Sequence, residues 1–191
     1  MDNKKFLMQI EQYYNGNLKS NRVIIVGDTP NYLRKIGMDN LPIVIKKSTL
    51  SKCIREPRGS RSAHELDRVV IESIPMQIFY PILAVNEEKR NSVALITDYK
   101  DKHGNNILIA LKKRTIVQNI PVNEIVSLYG RNNLATYLEK HNTSDINIIN
   151  KEKAKSLASL LRLQLPTTLQ AFDCIDNISP NSDTVKNESV K

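Results

Sequence analysis

The sequence predicts an α+β fold: N-terminal helices, an antiparallel meander of about four strands, then C-terminal helices. Two observations predict it. Between residues 78 and 128, four apolar runs alternate with turn-forming clusters, as in strands that neighbour one another. On either side of that stretch, apolar residues recur at helical spacing.

The first helix is expected at residues 3–14, with Phe6, Ile10 and Tyr13 or Tyr14 on one side, and Asn15-Gly16-Asn17 stops it. Residues 22–26 form a short apolar run with strand character. Thr29-Pro30 then opens a short helix, with Thr29 as cap, Pro30 in the first turn, Gly37 at the end, and Leu33 and Ile36 on its buried side. Residues 43–45 are a second short apolar run, and Ser48 or Thr49 caps a helix toward Ile54. Ser62 and Glu65 make a capping box for the next helix, whose stripe is Leu66, Val69, Val70 and Ile74 and which Pro75 ends. Strands at 78–85 and 92–98 are joined by a charged turn at 86–91. A second turn, 98–106, is rich in Asp, Gly and Asn. The longest strand, 107–117, carries Lys112 and Arg114 at alternate positions, hence on one face. Residues 122–128 complete the meander, and a helix runs on to His141. An edge strand at 146–149 and a helix at 151–163, with Ala154, Leu157, Leu160 and Leu161 apolar, follow. The organisation expected is a helical basic leader (1–63) packed on the core, an α+β domain (64–178) and a polar, disordered tail (179–191).

The chain has 191 residues, 40% of them hydrophobic, with no Trp and three Phe, so its core is aliphatic. No apolar run approaches the roughly 18 residues of a membrane span, and the first residues are too short an apolar stretch for a signal peptide. Cys53 and Cys174 are far apart and lack metal-ligand spacing. A reduced, cytoplasmic protein is expected, or one delivered into a target cell or carried in a virion.

Net charge is +8, and residues 1–63 hold most of it, with twelve Lys/Arg against five Asp/Glu. Six cations, Lys46, Lys47, Lys52, Arg55, Arg58 and Arg61, fall within sixteen residues with one acid, Glu56. Such a cluster can hold phosphates by displacing counterions. It is equally a solvated surface, or a lure for an acidic protein.

Residues 122–138 concentrate the chemistry. Asn123, Ser127, Tyr129 and Arg131 are two or four apart, so an extended strand points them to one face. Gly130 permits a sharp exit from that strand, and Leu134, Tyr137 and Leu138 follow at helical spacing. The alternative is local hydrogen bonding by Asn123 and Ser127 and core packing by Tyr129. Among the histidines, His103 sits in a polar turn and His141 at a helix end. His64 falls in the first turn of a helix, where the dipole keeps imidazole neutral and available as a base.

Phosphate-loop, dinucleotide, zinc-protease and serine-hydrolase motifs are absent, and no acidic cluster points to two metals. A histidine, hydroxyls and cations remain, with no cofactor implied. That set suits metal-independent RNA cleavage: a base takes the ribose 2′-OH proton, an acid protonates the leaving oxygen, and Lys or Arg stabilises the phosphorane.

Several stretches carry a family resemblance. They are His64 with Ile74-Pro75 and Pro81, V-A-L-I-T-D at 93–98 before a D-x-x-G-N turn, V-N-E-I-V-S-L-Y-G-R-N-N at 122–133, and I-I-N-K-E-K at 148–153 with L-Q-L at 163–165. Upstream, G-D-T-P-x-x-L-x-x-I-G at 27–37 and L-P-I-V-I at 41–45 fit as well. The chain resembles the C-terminal toxin domain of phage MuF-type head proteins and of related polyvalent proteins of mobile elements. These are grouped with the barnase–EndoU–colicin–RelE nucleases. The resemblance implies a nuclease-like fold over 64–178 and a toxin that cleaves RNA. His64 would be the acid–base group, with Ser127 and Tyr129 orienting or protonating at the phosphate. Arg131, with Lys112 or Arg114, would stabilise its charge. Where the family places a lysine before the histidine, this chain has Ala63, with Arg61 close by. RNA and an acidic immunity protein are the partners implied. Two other readings stand beside it: a non-catalytic nucleic-acid- or partner-binding accessory protein, and, remotely, a nucleotidyl- or ADP-ribosyl-type transferase.

Overall fold

The computed structural model describes residues 3–19, 22–56 and 64–163. Seven strands are β1 (Val23–Gly27), β2 (Ile43–Lys46), β3 (Leu83–Glu87), β4 (Ser92–Lys100), β5 (Asn106–Val117), β6 (Ile120–Gly130) and β7 (Ile146–Ile148). Seven α-helices are α1 (Asn3–Tyr14), α2 (Asn31–Lys35), α3 (Lys47–Ile54), α4 (Arg68–Glu72), α5 (Ile74–Phe79), α6 (Leu134–Glu139) and α7 (Lys151–Leu161). The strands form one sheet in the order β1-β2-β6-β5-β4-β3-β7.

The fold is α+β, and β3 to β6 form the expected antiparallel meander. The sheet is nevertheless larger than four strands. β2 runs parallel to β6, β1 pairs antiparallel with β2, and β7 closes the far edge against β3. Residues 1–63 therefore contribute two strands to the sheet as well as helices.

Meander strands read as nearly continuous apolar runs because both faces are covered. On the first face, Ile24, Ile45, Ala84, Leu95, Ile109, Leu111, Ile125 and Leu128 pack with Phe6 and Ile10 of α1, Leu33 of α2, Leu50 of α3, Ile71 of α4 and Ile78 of α5. On the second face, Leu83, Val85, Ala94, Ile96 and Leu108 pack with Leu134, Tyr137 and Leu138 of α6 and Ala154 and Leu157 of α7. Each fully buried aliphatic side chain contributes about 1.5–3 kcal/mol, so the two layers are held largely by these contacts.

Four local expectations are corrected. The apolar stretch at 78–85 is not one strand: α5 occupies Ile74–Phe79, Pro75 lies in its first turn rather than ending the preceding helix, and β3 starts at Leu83. Gln77 anchors α5, donating to Val70 O and Ser73 Oγ and accepting from Thr97 Oγ1. No helix begins at His64 or Glu65. Ser62 lies outside the described residues, and 64–67 is irregular, with Glu65 at a φ of 47° and the N–H groups of His64, Glu65 and Leu66 donating to the carbonyls of Lys52, Arg55 and Cys53 in and just after α3. α4 starts only at Arg68, and Val69, expected in its apolar stripe, is 70% exposed. Thr29 does not cap α2, because its hydroxyl donates to Leu41 O. Neither Ser48 nor Thr49 caps α3, which begins at Lys47 directly after β2.

Candidate functional site

The site is built at the C-terminal end of β6, and a bulge determines its geometry. Ala110 pairs with Ser127 but Leu111 with Ile125, so Val126 is the extra residue. Alternation therefore reverses across it. Ile125 and Leu128 both enter the first-face core. Ser127 and Tyr129 turn to the second face, and Asn123 to the first. The single polar face expected for Asn123, Ser127 and Tyr129 does not exist.

Asn123 is fully buried. Its amide donates to Thr29 Oγ1 (2.8 Å) and Asp39 O (2.9 Å), and its oxygen accepts from the Arg114 N–H (3.1 Å). It stitches β6 to the segment between β1 and β2. Ser127 is half-buried opposite Ala110.

Tyr129, by contrast, gathers two of the expected groups. The His64 ring stacks on it with centroids 5.2 Å apart. Arg131 Nη1 donates to its hydroxyl at 3.0 Å. β2 pairs with β6 only as far as Ile125 and the chain then enters α3. The segment bonded to α3 carries His64 to Tyr129. Burial lowers the His64 pKa, and Lys52 lowers it further. The imidazole is thus neutral, as expected, but from desolvation and a neighbouring cation rather than a helix dipole. His64 Nε2 and Arg131 Nε are both buried without a hydrogen-bond partner among the described residues. Native proteins rarely leave such atoms unpaired, so each needs an explanation.

Gly130 serves a purpose other than a sharp exit. Its backbone is not left-handed. A Cβ there would lie 2.7 Å from the Cβ of Asp101, which is pressed against it. Asp101 is itself fixed: it accepts the N–H groups of His103 (2.9 Å) and Asn105 (2.8 Å) and the Asn105 amide (3.0 Å). Burial pushes its pKa up, but those hydrogen bonds prevail and hold it below the ordinary value. The same turn reaches the residue beside His64 through the Lys102–Glu65 ion pair at 2.5 Å.

A second group of polar residues lies beyond Arg131. The guanidinium sits 4.7 Å from the Tyr137 ring centroid. Tyr137 OH donates to Glu87 Oε1 at 3.1 Å, and Ser92 Oγ to Glu87 Oε2 at 2.9 Å. His141 packs on Tyr137 with centroids 4.6 Å apart, and its Nδ1 is 2.8 Å from Tyr137 O. A carbonyl only accepts, so Nδ1 carries the hydrogen. Burial first, then Glu87, raises the Tyr137 hydroxyl pKa, so it stays protonated and donates. Sequence reading placed Glu87 in a turn, Tyr137 on an apolar stripe and His141 at a helix end. Only the register of β3, β4 and β5 beneath α6 brings the three together.

The expected cations are dispersed. Lys46 pairs with Glu124 at 2.9 Å, and Lys47 Nζ donates to Leu18 O. Arg55 is exposed at the end of α3. Arg58 and Arg61 lie outside the described residues, as does Ala63. Lys112 and Arg114 do not share a face. Register shifts between Lys112 and Thr115, Arg114 takes a φ of 43°, and its guanidinium pairs with Asp39 at 2.9 Å. Lys112 is exposed opposite Glu124, in a cross-strand row with Ser92 and Glu87.

Cys53 is buried and its thiol is pushed up to about 12, mainly by burial, which makes it inert. Cys174 is outside the described residues. Among the described residues, no three His, Cys, Asp or Glu side chains group as metal ligands, and no helix is long and apolar enough to cross a membrane.

Neither a curated protein nor a solved structure matches the chain. The model of one family, the phage MuF-C-terminal domain, matches residues 56–156. That span holds His64, the whole meander and the Tyr129–Arg131–Tyr137 contacts. It also takes in more than half of the chain, which therefore belongs to the phage MuF C-terminal domain family.

Proposed function

We propose that this chain is a phage toxin-like endoribonuclease that cleaves RNA by metal-independent acid–base chemistry. One observation carries the reading: a neutral histidine, a tyrosine hydroxyl and an arginine meet at one point, with His64 stacked on Tyr129 and Arg131 bonded to its hydroxyl. Each has a task in transesterification. His64 takes the proton of a ribose 2′-OH, whose oxygen forms a bond to phosphorus. The P–O5′ bond breaks, and Tyr129 donates its proton to the departing oxygen. Because Arg131 donates to the phenol oxygen, the Tyr129 O–H is left to point elsewhere, toward the departing oxygen. The same guanidinium offsets charge on the phosphorane. Products are a 2′,3′-cyclic phosphate and a 5′-hydroxyl.

A second reading, a non-catalytic binding protein, is favoured by one feature: His64 Nε2 is shielded from solvent. Cleavage of total RNA in EDTA decides between them, run beside His64→Ala. Wild-type cleavage that the substitution abolishes is the expected result. RNA left intact by pure wild-type protein, with a gel shift that weakens in salt, would instead make the chain a binding protein.

A further inference from the structure

Arg131 is the cation on which the proposed chemistry depends, yet arginine side chains are long and lose considerable freedom when ordered. Something must hold this one. Its guanidinium lies over Tyr137 and donates to Tyr129. Tyr129 is held by β6 and by the His64 ring. Tyr137 stands on a six-residue helix and needs a support of its own. That support is Glu87, on the far side of the meander. Its side chain is 9% exposed and accepts three hydrogen bonds. These come from Ser92 Oγ at 2.9 Å, Tyr137 OH at 3.1 Å and Arg90 Nη1 at 3.4 Å.

We infer that Glu87 is a positioning residue that acts through the Tyr137 hydroxyl to hold Arg131 in an anion-binding pose. The path is short and each link has its own geometry. Glu87 accepts from Tyr137, the Tyr137 ring carries the guanidinium, and the guanidinium meets the Tyr129 hydroxyl beside His64. Cation–π contact fixes the plane of the guanidinium, and the hydrogen bond fixes its rotation in that plane. A carboxylate shared by several donors is a rigid anchor, because moving it breaks several bonds at once. The inference rests on the proposed role of Arg131 in meeting phosphate, but the pose itself is read without any cleavage.

The test is the Arg131 Nε–H signal in ¹⁵N NMR of the full chain, with and without inorganic phosphate, in wild type, Tyr137→Phe, Glu87→Ala and Glu87→Gln. Arg131→Lys assigns the signal. In wild type the signal should be resolved from that of solvent-mobile arginines and should move on adding phosphate. Tyr137→Phe keeps the ring and removes the hydroxyl, and Glu87→Ala removes the acceptor. Both should return the signal toward the mobile position and weaken phosphate binding about tenfold, as expected for one hydrogen bond to a charged group. Glu87→Gln keeps an acceptor oxygen and should retain the wild-type signal. An unmoved signal in both Tyr137→Phe and Glu87→Ala overturns the inference, as does a Glu87→Gln protein that is folded but behaves like Glu87→Ala. If Glu87→Ala fails to fold, Tyr137→Phe and Glu87→Gln still decide. A wild type with the resolved, phosphate-sensitive signal but no RNA cleavage would sink the ribonuclease reading and leave this one standing.

Discussion

Removing the Asn123 amide should loosen the attachment of the first third of the chain to the meander. Asn123→Ala deletes three hydrogen bonds, two to Thr29 and Asp39 and one from the Arg114 N–H. Thr29 Oγ1 keeps its own bond to Leu41 O, so it is not orphaned. The Asp39 carbonyl likewise keeps the Leu41 N–H at 2.8 Å, so only the Arg114 N–H is orphaned. A buried donor left unpaired costs about 1–3 kcal/mol, which puts the loss at about 2 kcal/mol. That is a large share of the roughly 5–15 kcal/mol by which a domain is stable. With a urea m-value of about 2 kcal/mol/M, the midpoint should fall by about 1 M. Hydrogen exchange should quicken first at residues 29–45. A midpoint shift under about 0.3 M at unchanged m would refute the reasoning, since Asn123 would then be replaceable by water.

Gly130→Ala should destabilise by about 1–3 kcal/mol, the usual cost of overpacking, because the new methyl meets Asp101. The double variant with Asp101→Gly should recover part of that loss in thermal unfolding, and strict additivity would count against the contact. His64 should impose a pH dependence on stability. Its folded pKa lies below 6.5, so between the folded value and 6.5 the unfolded chain binds more protons. Stability is therefore fully present above about pH 6.5 and is lost as pH falls toward the folded value. His64→Gln should flatten the difference in urea midpoint between pH 7.5 and pH 5.5, and an identical difference in both proteins would contradict it.

The α+β architecture was legible because its signals are local. Turn clusters at 86–91 and 98–106 separate apolar runs, and Phe6 with Ile10, or Ala154 with Leu157, mark amphipathic helices. What escaped depends on distant partners. Nothing near residues 43–46 tells that this strand pairs parallel with one eighty residues away. The stretch around Ile74–Phe79 is apolar enough to read as either helix or strand, and proline 75 suits a helix start as well as a stop. In the site, His64, Tyr129 and Arg131 stand out by setting and spacing before the family resemblance gives them roles, and the structure brings all three together. Asn123, Lys112 and Arg114 were misplaced because alternation was assumed to hold through two bulges. Glu87 carries no sequence signal at all, since a carboxylate in a charged turn looks like a solvated one.

One inserted residue, Val126, explains how the two layers meet at this point. Without a bulge, Ile125 in the first-face core would place Leu128 on the second face and Tyr129 on the first, because alternation has a period of two. The extra residue keeps both Ile125 and Leu128 in one core and turns Tyr129 toward α6. Pairing with β2 has already ended at Ile125. The far end of β6 is thus free of a strand on that side among the described residues. His64, held by α3 of the first layer, can then reach a tyrosine whose other neighbours belong to the second. Arg131 follows one residue after the strand and meets Tyr137 of α6. A histidine from one layer and an arginine–tyrosine pair from the other can share a site only where the sheet between them stops. The polar groups collect at the rim because the centre of the sheet, apolar on both faces, has no place for them.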